Sequence, residues 1–407
     1  MEVVYGRCCG MDIHKDLVVA CCVTGRNKKE TRSFGTMTGD LLVLCGWLKE
    51  NKVEMVAMES TASYWKPVFN LLEIEGVPAI LVNAQHIKNV PGRKTDVKDA
   101  EWIADLLRHG LLKASFVQDR DARELKELVR YCDKLTEERA RQYNRLDKIL
   151  QGANIKLSSV SSRMNTQSAM EMCKAIAAGE LTPEILASMA KGTMKSKKAE
   201  LERALQGFIQ PHQQMMIGSI LEHIAWLTRQ IGIIGEEIDR RMQDVACVVE
   251  ALDGVTGIGK DSARAIIAEM GTDMSVFPSA KHLCSWAGLA PGKNESAGKK
   301  KGAKAKKGNV QLKKIMFRCA RSAAKSKGTY LNSLFNRIAA RRGAKIAYVA
   351  VARTLLEICY YMIRDGTAFE DLGADHFTKI NREAVAKRSL KKLEELGYKV
   401  TVEEIAS

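Results

Sequence analysis

Short apolar runs and stretches of helical spacing alternate over the first 115 residues. Residues 3–12 form a strand-like run ending on Asp12, and residues 17–23 (LVVACCV) form an apolar, β-branched run bounded by Thr24-Gly25. Residues 30–34 predict a third strand, with a turn at Gly35. Residues 41–48 (LLVLCGWL) read as a helix, and residues 53–58 (VEMVAM) as a short buried strand ending at Glu59. Residues 64–74 predict an amphipathic helix and residues 78–82 (PAILV) another strand. In residues 96–112, Ile103, Ala104, Leu106 and Leu107 recur at helical spacing. The order β-β-β-α-β-α-β-α predicts an open α/β sheet that begins with an antiparallel meander.

The pattern then becomes helical. Over residues 120–155, Leu125, Leu128, Cys132, Leu135, Leu146 and Leu150 fall near a three-four spacing among many charges. Residues 157–192 are less regular, and SSVSS reads as a joint. Residues 195–210 predict a helix that stops at Pro211. Residues 217–245 carry Ile220, Ile224, Leu227, Ile231, Ile234, Ile238 and Met242 on one stripe. Packing in a bundle is the first reading of both stripes, and a coiled-coil oligomerisation arm is the second. A compact helical unit follows from Val248 to about Ile363. A charged, helix-capable tail comes after Gly366, clearest over residues 383–396. The expected domains are 1–118, 119–246, 247–365 and 366–407.

Composition narrows the class. At 407 residues, the chain is long enough for two or three domains, and an apolar share of 46% is ample for a core. Seven prolines and 6% aromatics favour a helix-rich protein over an all-β one. The net charge of +16 predicts a polyanionic partner, nucleic acid before an acidic membrane. The eleven cysteines are odd in number and include the adjacent pairs Cys8–Cys9 and Cys21–Cys22, a poor disulfide framework. They read as small core residues in a reducing cytoplasm. No signal-peptide pattern opens the chain. The most apolar stretch, residues 347–363, is interrupted by Arg353 and Glu357, so no membrane partner is expected.

Four acids stand where chemistry is expected. Asp12 and Glu59 end two strands that the pattern makes neighbours. Asp96 and Asp99 open the helix after the last strand, three residues apart and on one face. Each alone reads as a turn residue or a helix-terminal charge. In a ribonuclease H-like sheet the four positions converge at one edge, where carboxylates repel unless divalent ions neutralise them. Oxygen ligands of this kind select a hard cation, Mg²⁺ (or Mn²⁺). A pair of such ions about 4 Å apart can clamp a phosphoryl displacement. Asp16, Glu101 and Asp105 lie nearby but off these positions.

Two further segments point to nucleic acid. Gly257-Ile258-Gly259-Lys260 leads into an alanine-rich helix and reads as a helix-hairpin-helix-like loop, where backbone N–H groups can approach a phosphate. A plain helix–turn is the alternative. Residues 293–327 contain thirteen lysines and arginines against the single acid Glu295. Lys293, Lys299, Lys300, Lys301, Lys304, Lys306, Lys307, Lys313, Lys314 and Arg318 are the expected phosphate contacts. The glycine-bearing part reads as a flexible loop that orders on a phosphate backbone.

Together, GMDIHKD, AMES, GRKTDVKDAEWIADLL, LDGVTGIG and SWAGLAPGKNESAGKKKGAKAKKGNVQLKK resemble the insertion-sequence transposases with a DEDD domain and a serine-bearing domain, the bridge-RNA-guided recombinases of the insertion-sequence one-ten family. The resemblance covers roughly residues 3–112 and 248–330. It implies a RuvC-like (ribonuclease H-like) N-terminal domain, a coiled-coil middle and a small helical transposase domain. It assigns the four acids to Asp12, Glu59, Asp96 and Asp99, and the nucleophile to Ser296. It also implies double-stranded target and donor DNA, a structured non-coding guide RNA, a dimer or tetramer, and a cytoplasmic, nucleoid-associated setting. Ala62 and Ala297 stand where the family pattern has glycine. Ser285 (CSWAGL) is a rival serine within an expected helix.

The residues leave three readings open. The first is a recombinase that forms a covalent phosphoserine with Mg²⁺ on the acids. The second is a metal-dependent Holliday-junction-type nuclease with water as nucleophile. The third is a non-enzymatic nucleic-acid-binding protein, against which the four acids argue, because a pure binder gains nothing from carboxylates at a phosphate.

Overall fold

The computed structural model describes residues 2–25, 28–60, 63–82, 96–291, 295–296, 299–300, 308–380, 390 and 393–398. Of these, 96–98, 295–296 and 299–300 are described by backbone alone. The chain divides into two compact units, Met1–Arg120 and Asp121–Ser407.

The first unit is a five-stranded sheet with helices on both faces. Its strands are β1 (Arg7–Ile13), β2 (Val18–Thr24), β3 (Lys28–Phe34), β4 (Met55–Glu59) and β5 (Ala79–Val82). Helices α1 (Thr38–Glu50), α2 (Trp65–Ile74) and α3 (Asp96–Arg108) follow β3, β4 and β5 in turn, the order that the hydrophobic pattern predicts. The spatial order is β3-β2-β1-β4-β5. β1, β2 and β3 form the antiparallel meander, while β4 runs parallel to β1 and β5 parallel to β4.

Period-two alternation sorts the strand residues onto two faces. Cys9, Met11 and Ile13 of β1 join Val56 and Met58 of β4 in a core with Leu44, Trp47 and Leu48 of α1 and Phe69 and Leu72 of α2. Cys8 and Ala57 face the other way and pack with Ala100, Ile103, Ala104 and Leu107 of α3. The outer strand β3 carries Lys28, Lys29, Glu30 and Arg32, charges that discourage pairing with another edge. On the other side the chain after α3 bridges β5 through Val82 and Ala114.

The second unit is helical. The long helices α4 (Arg120–Gly152) and α9 (Pro211–Arg241) bracket α5 (Leu157–Val160), α6 (Gln167–Ala177), α7 (Pro183–Ser188) and α8 (Lys198–Ala204). Leu146 and Leu150 of α4 and Ile217, Leu221 and Ile224 of α9 share a core with Met172, Cys173 and Ile176 of α6. Residues 157–192 are therefore not a joint: their apolar positions are few per helix but meet in one core. Pro211 does not end a helix either. It opens α9 at a position where its missing N–H costs nothing, behind a capping box between Gln210 and Gln213.

Beyond a short turn come α10 (Ala246–Asp253), α11 (Lys260–Met270), α12 (Ala280–Trp286), the strand pair β6 (Glu295–Ser296) and β7 (Lys299–Lys300), α13 (Val310–Ala323), α14 (Tyr330–Arg342), α15 (Ala344–Asp365) and α16 (His376–Ile380). By length and composition α15 is apolar enough to cross a membrane. Here it is a core helix, with Ala347, Val351, Ala352, Leu355, Leu356 and Cys359 buried and α12, α13 and α14 packed on it. Residues 383–389, the start of the tail helix expected from sequence, lie outside the described residues. All eleven cysteines are free, and nine of them are buried.

Candidate active site

The acids of the first unit are set by strand register. Met11 of β1 pairs with Met58 of β4, so one residue further Asp12 stands beside Glu59 at the C-terminal ends of two parallel neighbours. Both continue the alternation of Cys8 and Ala57, which places them on the α3 face of the sheet. Asp12 is 9% exposed and Glu59 half-buried.

Helix α3 runs antiparallel to β1. Its C-terminal Arg108 carbonyl accepts N–H bonds from Val4 at 2.9 Å and Tyr5 at 3.3 Å, just before β1 begins. Its middle presses on Gly10, where an added Cβ would lie 2.3 Å from the Ala104 nitrogen and 2.4 Å from the Ala100 oxygen. The first turn of α3, with Asp96 and Asp99, is thus directed toward the strand ends that carry Asp12 and Glu59. Asp99 is half-buried, whereas the side chain of Asp96 lies outside the described residues. The other acids nearby are engaged or remote: Asp105 pairs with Lys29 at 2.6 Å, and Asp16 is exposed in the turn after β1.

His14 belongs to this corner and was not singled out by the sequence pattern. Its Nε2 lies 3.0 Å from Asp12 Oδ2. The Asp-x-His spacing was the available signal, since residues two apart on an extended chain share a face. Burial raises both thiols on this face, that of Cys8 up to about 12 and that of Cys21 in the same direction.

The donor set suits a hard divalent cation: carboxylates on one face of one sheet edge. Among the described residues no three side chains stand close enough together to hold a metal ion as they are. Asp12 and Glu59 supply two adjacent positions, and the first turn of α3 is directed toward them.

The second unit carries the serine. Ser296 pairs with Lys299, and Glu295 with Lys300, in the two-residue ladder of β6 and β7. Part of the segment expected to be a flexible loop is thus a short hairpin, because antiparallel pairing satisfies backbone groups that the lysines cannot. Lys293, Lys301, Lys304, Lys306 and Lys307 lie outside the described residues. Ser285 is half-buried on α12, where its carbonyl accepts from the Gly288 N–H.

Several of the residues expected to contact phosphate also have protein partners. Lys314 pairs with Glu137, and Arg318 with Asp133 at 3.4 Å, both acids of α4. The hydrogen bond from Lys314 holds the Glu137 carboxyl below its usual range. Lys260 lies 3.8 Å from Asp239 of α9. Lys313 is half-buried on α13. Gly257 has φ +92°, and a Cβ there would meet the Ala323 nitrogen and the Cys319 oxygen at 2.7 Å. This glycine lets the loop lie against α13, a packing role that needs no phosphate. Gly259 is the N-cap of α11.

Residues 9–155 match the family model of a DEDD transposase domain of the IS110 type, and residues 249–335 match the IS116/IS110/IS902 transposase family. Together the two matches span more than half of the chain, in the order found here. The chain belongs to the IS110 family of transposases. It is accordingly a DNA transposase, and its family implies DNA binding. The insertion element IS110 uncharacterized 43.6 kDa protein of Streptomyces coelicolor is 27% identical over 302 residues, covering 69% of this chain and 73% of that protein. The first family match contains all four acids and the second contains Ser296.

Proposed function

We propose that this IS110-family transposase cuts and rejoins DNA through a covalent phosphoserine at Ser296, with Asp12, Glu59, Asp96 and Asp99 holding Mg²⁺ (or Mn²⁺). The observation that carries the reading is the register of β1 and β4, which sets Asp12 beside Glu59 on the face crossed by α3. The sheet order and strand senses support a RuvC-like, ribonuclease H-like fold for the first unit.

In the proposed reaction the Ser296 oxygen attacks a backbone phosphorus and loses its proton. The strand bond to phosphorus breaks, and the departing sugar oxygen takes up a proton and leaves as a hydroxyl. A hydroxyl from another strand then attacks the phosphoserine, restoring the serine and joining the strands. Bound at the acids, the cation supplies charge stabilisation for the pentacoordinate phosphorus. A serine hydroxyl is a weak nucleophile until activated, and the lysines of its loop neutralise the phosphate it approaches. The acids and the serine belong to different units, and the reaction needs both.

In the same reading a structured non-coding guide RNA selects target and donor DNA, and the working form is a dimer or tetramer at the nucleoid. The long helices α4 and α9 are suited to a coiled-coil contact. The basic segment supports nucleic-acid contact but does not separate DNA from RNA.

Trapping tests the mechanism. Wild-type protein incubated with nicked DNA bearing the element's ends, then digested, should yield a nucleotide on Ser296 by mass spectrometry. Ser296→Ala should still bind DNA and form no adduct. Cleavage by Ser296→Ala would move the reaction to water as nucleophile, with the four acids as the whole catalytic apparatus.

A further inference from the structure

Asp12 and Glu269 are the buried acids among the described residues, and the chemistry above gives Glu269 no task. Glu269, on α11, is 2% exposed. Its Oε1 accepts from Arg130 Nε at 2.6 Å, and its Oε2 accepts from the second Arg130 nitrogen at 2.9 Å. A third bond reaches Oε2 from Asn309 Nδ2 at 2.7 Å. A buried carboxylate is tolerated only when donors fill its acceptors, so these three bonds define its orientation.

Asn309 is where the serine-bearing segment returns to the helical body. Its Oδ1 accepts from the Gln311 and Leu312 N–H groups at 3.1 and 3.0 Å and caps α13. Its own N–H donates to the Trp286 carbonyl at 3.0 Å. The preceding Gly308 lies flat on the turn after α12. An added Cβ would sit 2.3 Å from the Gly288 nitrogen and 2.5 Å from the Trp286 oxygen. Gly308 and Asn309 thus meet the turn at Trp286–Gly288, and Ser296 lies in the sequence between these two points. Every bond of the Asn309 side chain is spent on the helix cap and on Glu269.

We infer that Glu269 is a positioning residue for strand cleavage: through Asn309 it holds the base of the Ser296 segment, without touching DNA. The inference rests on Ser296 as the nucleophile. Orientation of a nucleophile is worth orders of magnitude in rate, whereas affinity for DNA is set by the lysines and is independent of this bond.

The test uses the full chain on nicked DNA bearing the element's ends, with single-turnover adduct formation at saturating protein, DNA affinity and melting temperature read in parallel. Glu269→Gln should slow adduct formation by roughly 10–100-fold, the range for a displacement of about 1 Å. Affinity should stay within about twofold, because no contact to phosphate is removed. Hydrogen exchange at the Gln311 and Leu312 amides should quicken as the cap loosens. The double variant Glu269→Gln with Asn309→Asp reverses the polarity of the bond to position 309 and keeps a capping oxygen, while its amide faces the Arg130 donor, so it should recover the rate in part. Wild-type rate in Glu269→Gln overturns the inference. So does a joint fall of rate, affinity and melting temperature that the double variant fails to reverse, which makes Glu269 purely structural. Cleavage by the wild type with no adduct is a separate result: it removes the Ser296 mechanism itself, and this inference with it.

Discussion

Gly10 and Ala104 lie so close that one methyl group on the glycine would stand 2.3 Å from the backbone nitrogen of the alanine. This approach seats α3 on β1 and directs its first turn to the end of the strand where Asp12 stands.

Gly10→Ala should therefore destabilise the protein, because the obstructing atoms are helix backbone and cannot swing aside. Overpacking of this kind costs on the order of 1–3 kcal/mol. Denaturant unfolding measures it, and a wild-type midpoint would show that α3 yields freely.

Asp12→Asn keeps the shape and a hydrogen-bonding partner for His14 but loses the charge. It should leave the melting temperature near wild type and abolish strand cleavage. Asp99→Ala should do the same, while Asp16→Ala, in an exposed turn, should cleave normally. Full cleavage by Asp12→Asn, or by the wild type in EDTA, would remove the acids from the chemistry.

Replacing Lys299, Lys300 and Lys301 together by alanine should reduce the salt slope of DNA binding by roughly 2–3, at about 0.7–0.9 per lost phosphate contact. A salt titration settles it, and an unchanged slope would show that these lysines do not touch phosphate.

Glu137 gives a pH dependence with a definite sign. Its carboxyl is held below the usual range by Lys314, so folding favours the ionised form. The resulting stabilisation is complete above the ordinary carboxylate range and is lost as pH falls through the lowered folded value. Glu137→Gln should flatten that acid limb by lowering stability slightly near pH 7 and not at all in acid, and the change should be small because exposed pairs contribute little. Acid unfolding of the two proteins side by side checks this. Coincident acid limbs would show that the pair adds nothing.

The sequence by itself determined the strand–helix order of the first unit, the placing of Asp12 and Glu59 at strand ends and of Asp96 and Asp99 at a helix start, and the concentration of positive charge around Ser296. Each is a local property: alternation at period two, spacing near 3.6, or charge counted along a short stretch. Only the tertiary structure decided which partners these residues meet. Lys314 and Arg318 read as phosphate contacts, and the fold also brings Glu137 and Asp133 of α4 to them. Gly257 reads as a phosphate-loop glycine, and the fold also lays the backbone of α13 beside it. Residues 157–192 read as a joint because each short helix offers few apolar positions, and the core appears only when α4 and α9 close around them. Glu269, Arg130 and Asn309 carry no local signal at all. Their pairing joins residues up to 139 positions apart, and periodicity reports which face a residue occupies but not what folds against it.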